Sequence, residues 1–492
     1  MRKEKFLKRR FIVTALVLVG CFGLAASGAL AKVLPGATVE ERAINGAKEY
    51  IKKHKLKETT LTVMQNALFK NAQPKYDREW EALTGVKIKS IPYGYTDIPS
   101  KIMAEAVAKT GQWDIFNHFP YSVPDAVGAG VMEPLDKYAE KGKPDFSTIS
   151  PSLRAQQWYN GKLYFLLLDG DHIILLLRKD VMELAKDDYK AKFGKECGCP
   201  ETLAELEQMA AYFHTKAGET RWGMKFEKPL YGAVGYRSMN FAYRHFPAYF
   251  GELLFDKDMN PRINTPRGVQ AIAEFCSIVK YMPEDVMGWA TPQIYPFWAS
   301  GQAFSAMSFG SLYGFGHTNP KSVVKDKQIA CLFPGVMIGG KLVRRVPQAA
   351  GAGWAVSRYS KHPELAYYFI QWLTGPTKGD EIIGDPKGFW DPMRESNRTN
   401  KAILDKFTKH FVEVTLDNAK YVTSLLMIEG NYEYYNVMDK NLALVMQGNI
   451  TPEEAAKRIE KGWNKITEDI GRRRQIKAWR KGVESGAYID KF

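Results

Sequence analysis

The sequence predicts an α/β protein of two interleaved lobes, and three observations carry that expectation. A chain of 492 residues that is 45% hydrophobic and 13% aromatic suffices for a large core divided between two lobes. Strand, helix, strand order recurs over residues 61–116. Internal repeats and low-complexity linkers are absent, so the lobes are expected to interleave and not to follow one another as tandem domains.

Leu61-Thr62-Val63-Met64 opens the first strand. A helix from about Pro74 to Leu83 places Tyr76, Trp80 and Leu83 on one face, and Gly85 stops it before the strand Val86-Lys87-Ile88. Asp97-Ile98-Pro99 starts a helix with Ile98, Ile102 and Ala106 at helical spacing, and Trp113-Asp114-Ile115-Phe116 reads as the strand after it. Such βαβ units imply a parallel sheet with helices on both faces. Beyond Asp180 the chain is more helical. Thr202 and Glu205 form a capping box ahead of Leu203, Leu206, Ala210 and Phe213. A helix near Ser360 buries Leu365, Phe369 and Trp372 and stops at Gly375-Pro376, and Thr451-Pro452 starts another with the stripe Ile459, Trp463, Ile466 and Ile470. Core packing accounts for these aromatic stripes, and no cofactor is needed.

Residues 1–31 read as a signal peptide, with basic MRKEKFLKRR, an apolar run from Phe11 and Ala29-Leu30-Ala31 before Lys32. A periplasmic location follows. Arg9-Arg10 is also compatible with twin-arginine export, and Leu18-Val19-Gly20-Cys21 with lipoprotein anchoring through Cys21. The leader carries six Lys/Arg and one Glu, so the net charge of +15 falls to +10 once it is removed. Much of the excess lies in KRIEKGWNKITEDIGRRRQIKAWRKG, read as a solvated basic helix; no basic motif interleaved with aromatics points to nucleic acid. Cys197, Cys199, Cys276 and Cys331 lack the spacing of redox or zinc sites, and Cys197-Gly198-Cys199 is expected in a loop open to disulfide pairing, without metal.

Catalytic motifs are missing: no nucleophile elbow, zinc helix or phosphate loop occurs. The run LYFLLLDGDHIILLLRKD at residues 163–180 sets Asp169, Asp171 and His172 between two stretches made for burial, so those groups must reach water, a partner or a ligand. Two carboxylates two positions apart on a strand lie on one wall about 6 to 7 Å apart, whereas a glycosidase needs them on opposite sides of the bond. A binding cleft fits better, with aromatic faces for C–H patches and polar groups for hydroxyls. Asn117-His118-Phe119-Pro120-Tyr121 follows a strand at its carboxyl end; Phe309-Gly310-Ser311-Leu312-Tyr313, Gly351-Ala352-Gly353-Trp354 and Phe389-Trp390-Asp391-Pro392-Met393-Arg394 add loop aromatics.

Five stretches in order, TGQWDIFNHFPYSVPDAVGAGVMEPLDKYAE, WYNGKLYFLLLDGDHIILLLRKDVM, FWASGQAFSAMSFGS, AGAGWAVSRYSKHPELAYYFIQWLTGP and LVMQGNITPEEAAKRIEKGWNKI, resemble extracellular solute-binding protein family 1 of bacterial ABC importers, the group of maltodextrin-binding proteins. The resemblance implies a two-lobed periplasmic-binding-protein fold with interleaved lobes and a multi-strand hinge. Residues 57–167 and 345–390 would form the first lobe, and 168–344 and 391–492 the second. It implies a monomer that captures a sugar or related polyhydroxylated solute and delivers it to permease subunits, without cofactor, metal or turnover. Asp171 and Asp169 would lie on the cleft floor, His118 and Tyr121 on the first-lobe loop, and Tyr313, Trp354 and Arg394 near the cleft; Asn66, Asn117, Phe119 and Trp390 complete the candidate set. Leu203, where the family usually has Trp, the Cys-Gly-Cys stretch and the basic surface depart from the pattern. They leave open a same-fold receptor for an anionic or non-sugar solute or an accessory protein, and less so a secreted carbohydrate-active enzyme.

Overall fold

The run Thr59–Asn66 (β1) is apolar enough to lie inside a sheet, with Leu61, Val63 and Met64 fully buried. It pairs in parallel with Val86–Tyr93 (β2) on one side and Ile115–His118 (β3) on the other. Helix Gln73–Thr84 joins β1 to β2, burying Tyr76 and Trp80, and ends where Gly85 takes the left-handed conformation at φ 80°. Helix Ile98–Ala108 joins β2 to β3. The computed structural model describes residues 32–238, 241–348 and 351–492, and the leader lies outside them; Val33–Phe492 is a single unit.

After β3 the chain reaches Leu166–Leu167 (β4), then passes through Leu168–His172 into a second sheet at Ile173–Arg178 (β5). That sheet is completed by Tyr231–Gly235 (β6), Ala303–Phe309 (β7) and Gln328–Cys331 (β8), in the order β6-β7-β5-β8. The chain then returns to the first sheet as Gly353–Val356 (β9), giving the order β2-β1-β3-β9-β4. An all-parallel sheet does not form: β9 runs antiparallel to β3 and β4, and β5 antiparallel to β7 and β8. The reason is topological. These strands enter from the opposite sheet, so no crossover helix forces them to run parallel. A third passage, at residues 390–394, leads back toward the second sheet, where helix Lys401–Phe407 packs on Ser311–Thr318.

The anticipated helices form at Leu203–Phe213 with its capping box, Pro363–Thr374 and Pro452–Ile470. Helix Val39–His54 was not read from the sequence, although its Thr38/Glu41 capping box was a usable signal; it packs on Pro363–Thr374. Cys199 pairs with Cys331 and ties the loop before Leu203 to β8, whereas Cys197 and Cys276 are free. Arg472, Arg474 and Arg480 of the basic terminal helix pair with Glu468, Glu429 and Asp258. Among the described residues no helix is long and apolar enough to cross a membrane.

Candidate functional site

Where the chain first passes between the sheets, Gly170 lies against the third passage. A Cβ at Gly170 would sit 2.1 Å from the Pro392 carbonyl oxygen, so only glycine permits this approach. The Gly170 amide donates to Asp391 O at 3.2 Å. Asp169 accepts the Asp391 amide at 2.8 Å on Oδ1 and the Ala352 amide at 3.4 Å on Oδ2, so one carboxylate joins all three passages. His172 Nδ1 bonds Gly170 O at 2.7 Å, and burial lowers its pKa to about 4. Asp171 points differently. It is 8% exposed, and its Oδ1 has no hydrogen-bond partner.

Two neighbouring compartments open between the sheets, with Tyr95 and Arg244 in the walls of both. The outer one, about 320 Å³, is lined by Tyr95, Tyr121, Tyr243 and Tyr432 with His118, Ser122 and Asp125. The inner one, about 30 Å³, has walls that include Phe69, Tyr95, Phe119, Phe241, Tyr295 and Phe309 and a floor at Asp169 and Asp171. The rings brace one another: Tyr95 meets Phe119 and Phe241 edge-on, and Phe241 and Phe309 both pack on Tyr236 at 4.8 Å. Arg244 Nη2 donates to the Tyr121 hydroxyl at 3.0 Å, linking helix Ala242–Phe250 to the loop after β3.

Asp169, Asp171 and Asp391 bring carboxylate oxygens within 4.8 Å of one another, the one group of metal-capable side chains among the described residues. Burial first, with repulsion between neighbouring carboxylates at Asp169 and Asp171, pushes their carboxyls above the usual range; burial also raises Asp391. Lys406, buried beside Asp391 and Asp169, is lowered by desolvation to about 8 and donates to Ile383 O and Gly388 O.

The predicted site residues therefore divide. Asp171, Asp169, Phe119, His118 and Tyr121 line the compartments, with Asp169 engaged by backbone amides. The others are drawn into the framework. Asn117 accepts from Gln65 Nε2 and the Asn66 amide and donates to Gly353 O, knitting β1, β3 and β9. Asn66 caps Leu68 N. Trp354, expected on a cleft-facing loop, lies on β9 with no exposure, and Trp390 lies between it and Phe69, stacked on the latter at 3.5 Å. Trp354 and Trp390 are core because a strand and a passage, not loops, carry them. Tyr313 stacks on Phe411 and bonds Thr408. The Arg394 guanidinium donates to Asp145 O, Thr148 Oγ1 and Thr374 O, away from either compartment. Sequence reasoning missed Tyr95, Phe241, Arg244, Tyr295 and Tyr432. The aromatic and basic stretch FAYRHFPAYF was the available signal.

Two lobes joined by several passages, with a polar and aromatic cleft between, define a solute-binding fold. A family model described as bacterial extracellular solute-binding protein matches residues 75–406, about two thirds of the chain, and the chain belongs to that family. The fold is shared with an ABC transporter solute-binding protein of Agrobacterium radiobacter in complex with ribitol, at TM-score 0.68 and 20% identity over 83% of this chain and 98% of that one. It is also shared with one from Agrobacterium vitis with bound D-mannitol (0.68, 18%, 84% and 99%). A third is an ABC substrate-binding protein of Listeria monocytogenes in complex with cycloalternan (0.67, 20%, 84% and 99%). No curated protein sequence matches the chain.

Proposed function

We propose that this protein captures a sugar or related polyhydroxylated solute between its lobes and hands it to the permease subunits of an ABC importer. The observation that carries the reading is the outer compartment, where tyrosine faces stand beside Ser122, Asp125 and His118 in a volume suited to a small solute. The polyol and oligosaccharide complexes of similarly folded proteins support the solute class. The sheet membership of the strands supports lobes at 57–167 with 345–390 and at 168–344 with 391–492. The proposal includes a periplasmic monomer freed of residues 1–31, with tethering through Cys21 as the variant outcome, and no turnover. An anionic solute fits the inner compartment poorly, because it would meet Asp169 and Asp171. The test is a thermal melt against a panel of polyols, monosaccharides and maltodextrins. A concentration-dependent rise with no hydrolysis is expected. Hydrolysis of one sugar, abolished in Asp171→Asn, would overturn the binding reading.

A further inference from the structure

The two compartments differ in chemistry as well as in size. The inner one, about 30 Å³ against about 320 Å³, is far the smaller, so a sugar ring is placed in the outer one and only a short arm in the inner. Around it stand three buried carboxylates, Asp169, Asp171 and Asp391, and two buried cations, Arg244 and Lys406. Fully ionised, this set carries one surplus negative charge, to which half-buried Asp385 adds near Lys406. A surplus charge out of water is costly until a cation or a proton meets it. Asp171 lines the compartment among aromatic rings whose faces attract cations, and its Oδ1, enclosed behind that wall, has no hydrogen-bond partner.

We propose that the solute carries a primary ammonium on a short –CH₂–NH₃⁺ arm that enters the inner compartment onto Asp171, while its hydroxylated body rests in the outer compartment. The solute class is then an aminated sugar or amino-polyol, an inference resting on the reading of this cleft as the solute site. A hydroxyl arm would fill the same space and leave the surplus charge unmet. A metal ion could draw on the three converging carboxylates, but both oxygens of Asp169 already take backbone amides and the remaining walls are mostly aromatic, so titrations with calcium and magnesium decide between the two cations. In the free protein a proton shared among the three carboxyls neutralises the surplus, in line with the upward push on all three. Asp171 is faced by Asp169, Asp391, Arg244, Tyr236 and Tyr295, with Lys406 behind Asp391; both tyrosines are pushed up by burial and stay neutral, as does His172 beside it. The ammonium takes the place of that proton, so binding releases it to buffer.

Titration calorimetry with paired probes tests this: 1-amino-1-deoxyglucitol against glucitol, and 6-amino-6-deoxyglucose against glucose, with ribitol, maltose, calcium chloride and magnesium chloride as separate arms. In at least one pair the amine should bind about tenfold tighter or better than its hydroxyl twin at about pH 7.5. Its heat should vary with buffer ionisation as a proton is released, and Asp171→Asn should erase most of the preference. Should that variant fail to fold, the paired affinities and buffer dependence of the unaltered protein decide alone. Hydroxyl twins, ribitol or maltose binding as well as or better than both amines overturns the ammonium and leaves the polyhydroxylated solute standing. A melt raised by calcium or magnesium alone overturns it in favour of a metal site. No response to any organic probe overturns both readings.

Discussion

Trp354 and Tyr95 show how the surroundings of an aromatic residue decide its work. Trp354 has no exposed surface and meets Trp390 at 5.4 Å, which in turn covers Phe69. Trp354→Ala should open a cavity and lower stability by ~3–5 kcal/mol, as Trp80→Ala should, read by denaturant unfolding. Tyr95 lines both compartments and lies near the surface between Phe119 and Phe241. Tyr95→Ala should weaken solute binding by ~1–3 kcal/mol while shifting the melting temperature little. A variant that unfolds early and binds normally would place Tyr95 in the core instead. Sequence pattern separated Trp80, Trp372 and Trp463 correctly as helix-stripe residues, because helical spacing is local. It misplaced Trp354 because a short strand flanked by glycines looks like a loop until its neighbours are known.

At the scale of elements, the passages between the sheets and the disulfide are the points of greatest leverage. Gly170 allows two passages to touch, with the Pro392 oxygen where a side chain would begin. Gly170→Ala must push the passages apart and should cost ~1–3 kcal/mol. The same displacement moves Asp171, so binding should weaken alongside; normal affinity in a destabilised variant would show that the passage does not set the site. The Cys199–Cys331 bond closes a separation of 132 residues. A paired Cys199→Ser and Cys331→Ser variant should lose ~2–5 kcal/mol, mainly by freeing the unfolded chain, with unchanged solute affinity since neither residue lines a compartment. Equal stability with and without reductant would remove that role. The sequence allowed any pairing among four cysteines; only folding brought residue 199 beside β8.

The whole molecule combines buried groups whose titrations oppose one another. His118 and His172 are lowered by burial to about 3 and 4, so they stay neutral when folded but take protons when unfolded. Their contribution is present above about pH 6.5 and is lost as pH falls toward those lowered values. Asp77 and Asp125 are raised by burial to about 6, so the folded state holds their protons more tightly. That contribution is present in acid and is lost as pH rises through about 6. The two effects offset each other between about pH 4 and 6. Asp77→Asn removes part of the offset, so its melting temperature should fall more steeply than that of the unaltered protein on acidification across this window, by the equivalent of ~2–3 kcal/mol. Parallel slopes would mean that Asp77 does not titrate in this range.

Local pattern by itself determined the strand and helix order through β3, the capped helices at Thr202 and Thr451 and the stop at Gly85, while the expectation of a two-lobed cleft protein with Asp171 on its floor came from the resemblance of whole segments to a family. Each follows from residues close in sequence, where periodicity and capping leave their mark, or from the order of whole segments. The tertiary structure decided the rest. Asn117, Trp354 and Arg394 turned inward because β9 and the third passage arrive from distant parts of the chain and cover them. Arg244 and Phe241 reached the cleft because helix Ala242–Phe250 crosses over to Tyr121 and Tyr95. A side chain's surroundings are set by whatever segment packs on it, and those segments lie more than a hundred residues away: Tyr121 from Arg244, Gly353 from Asn117, Asp391 from Asp169.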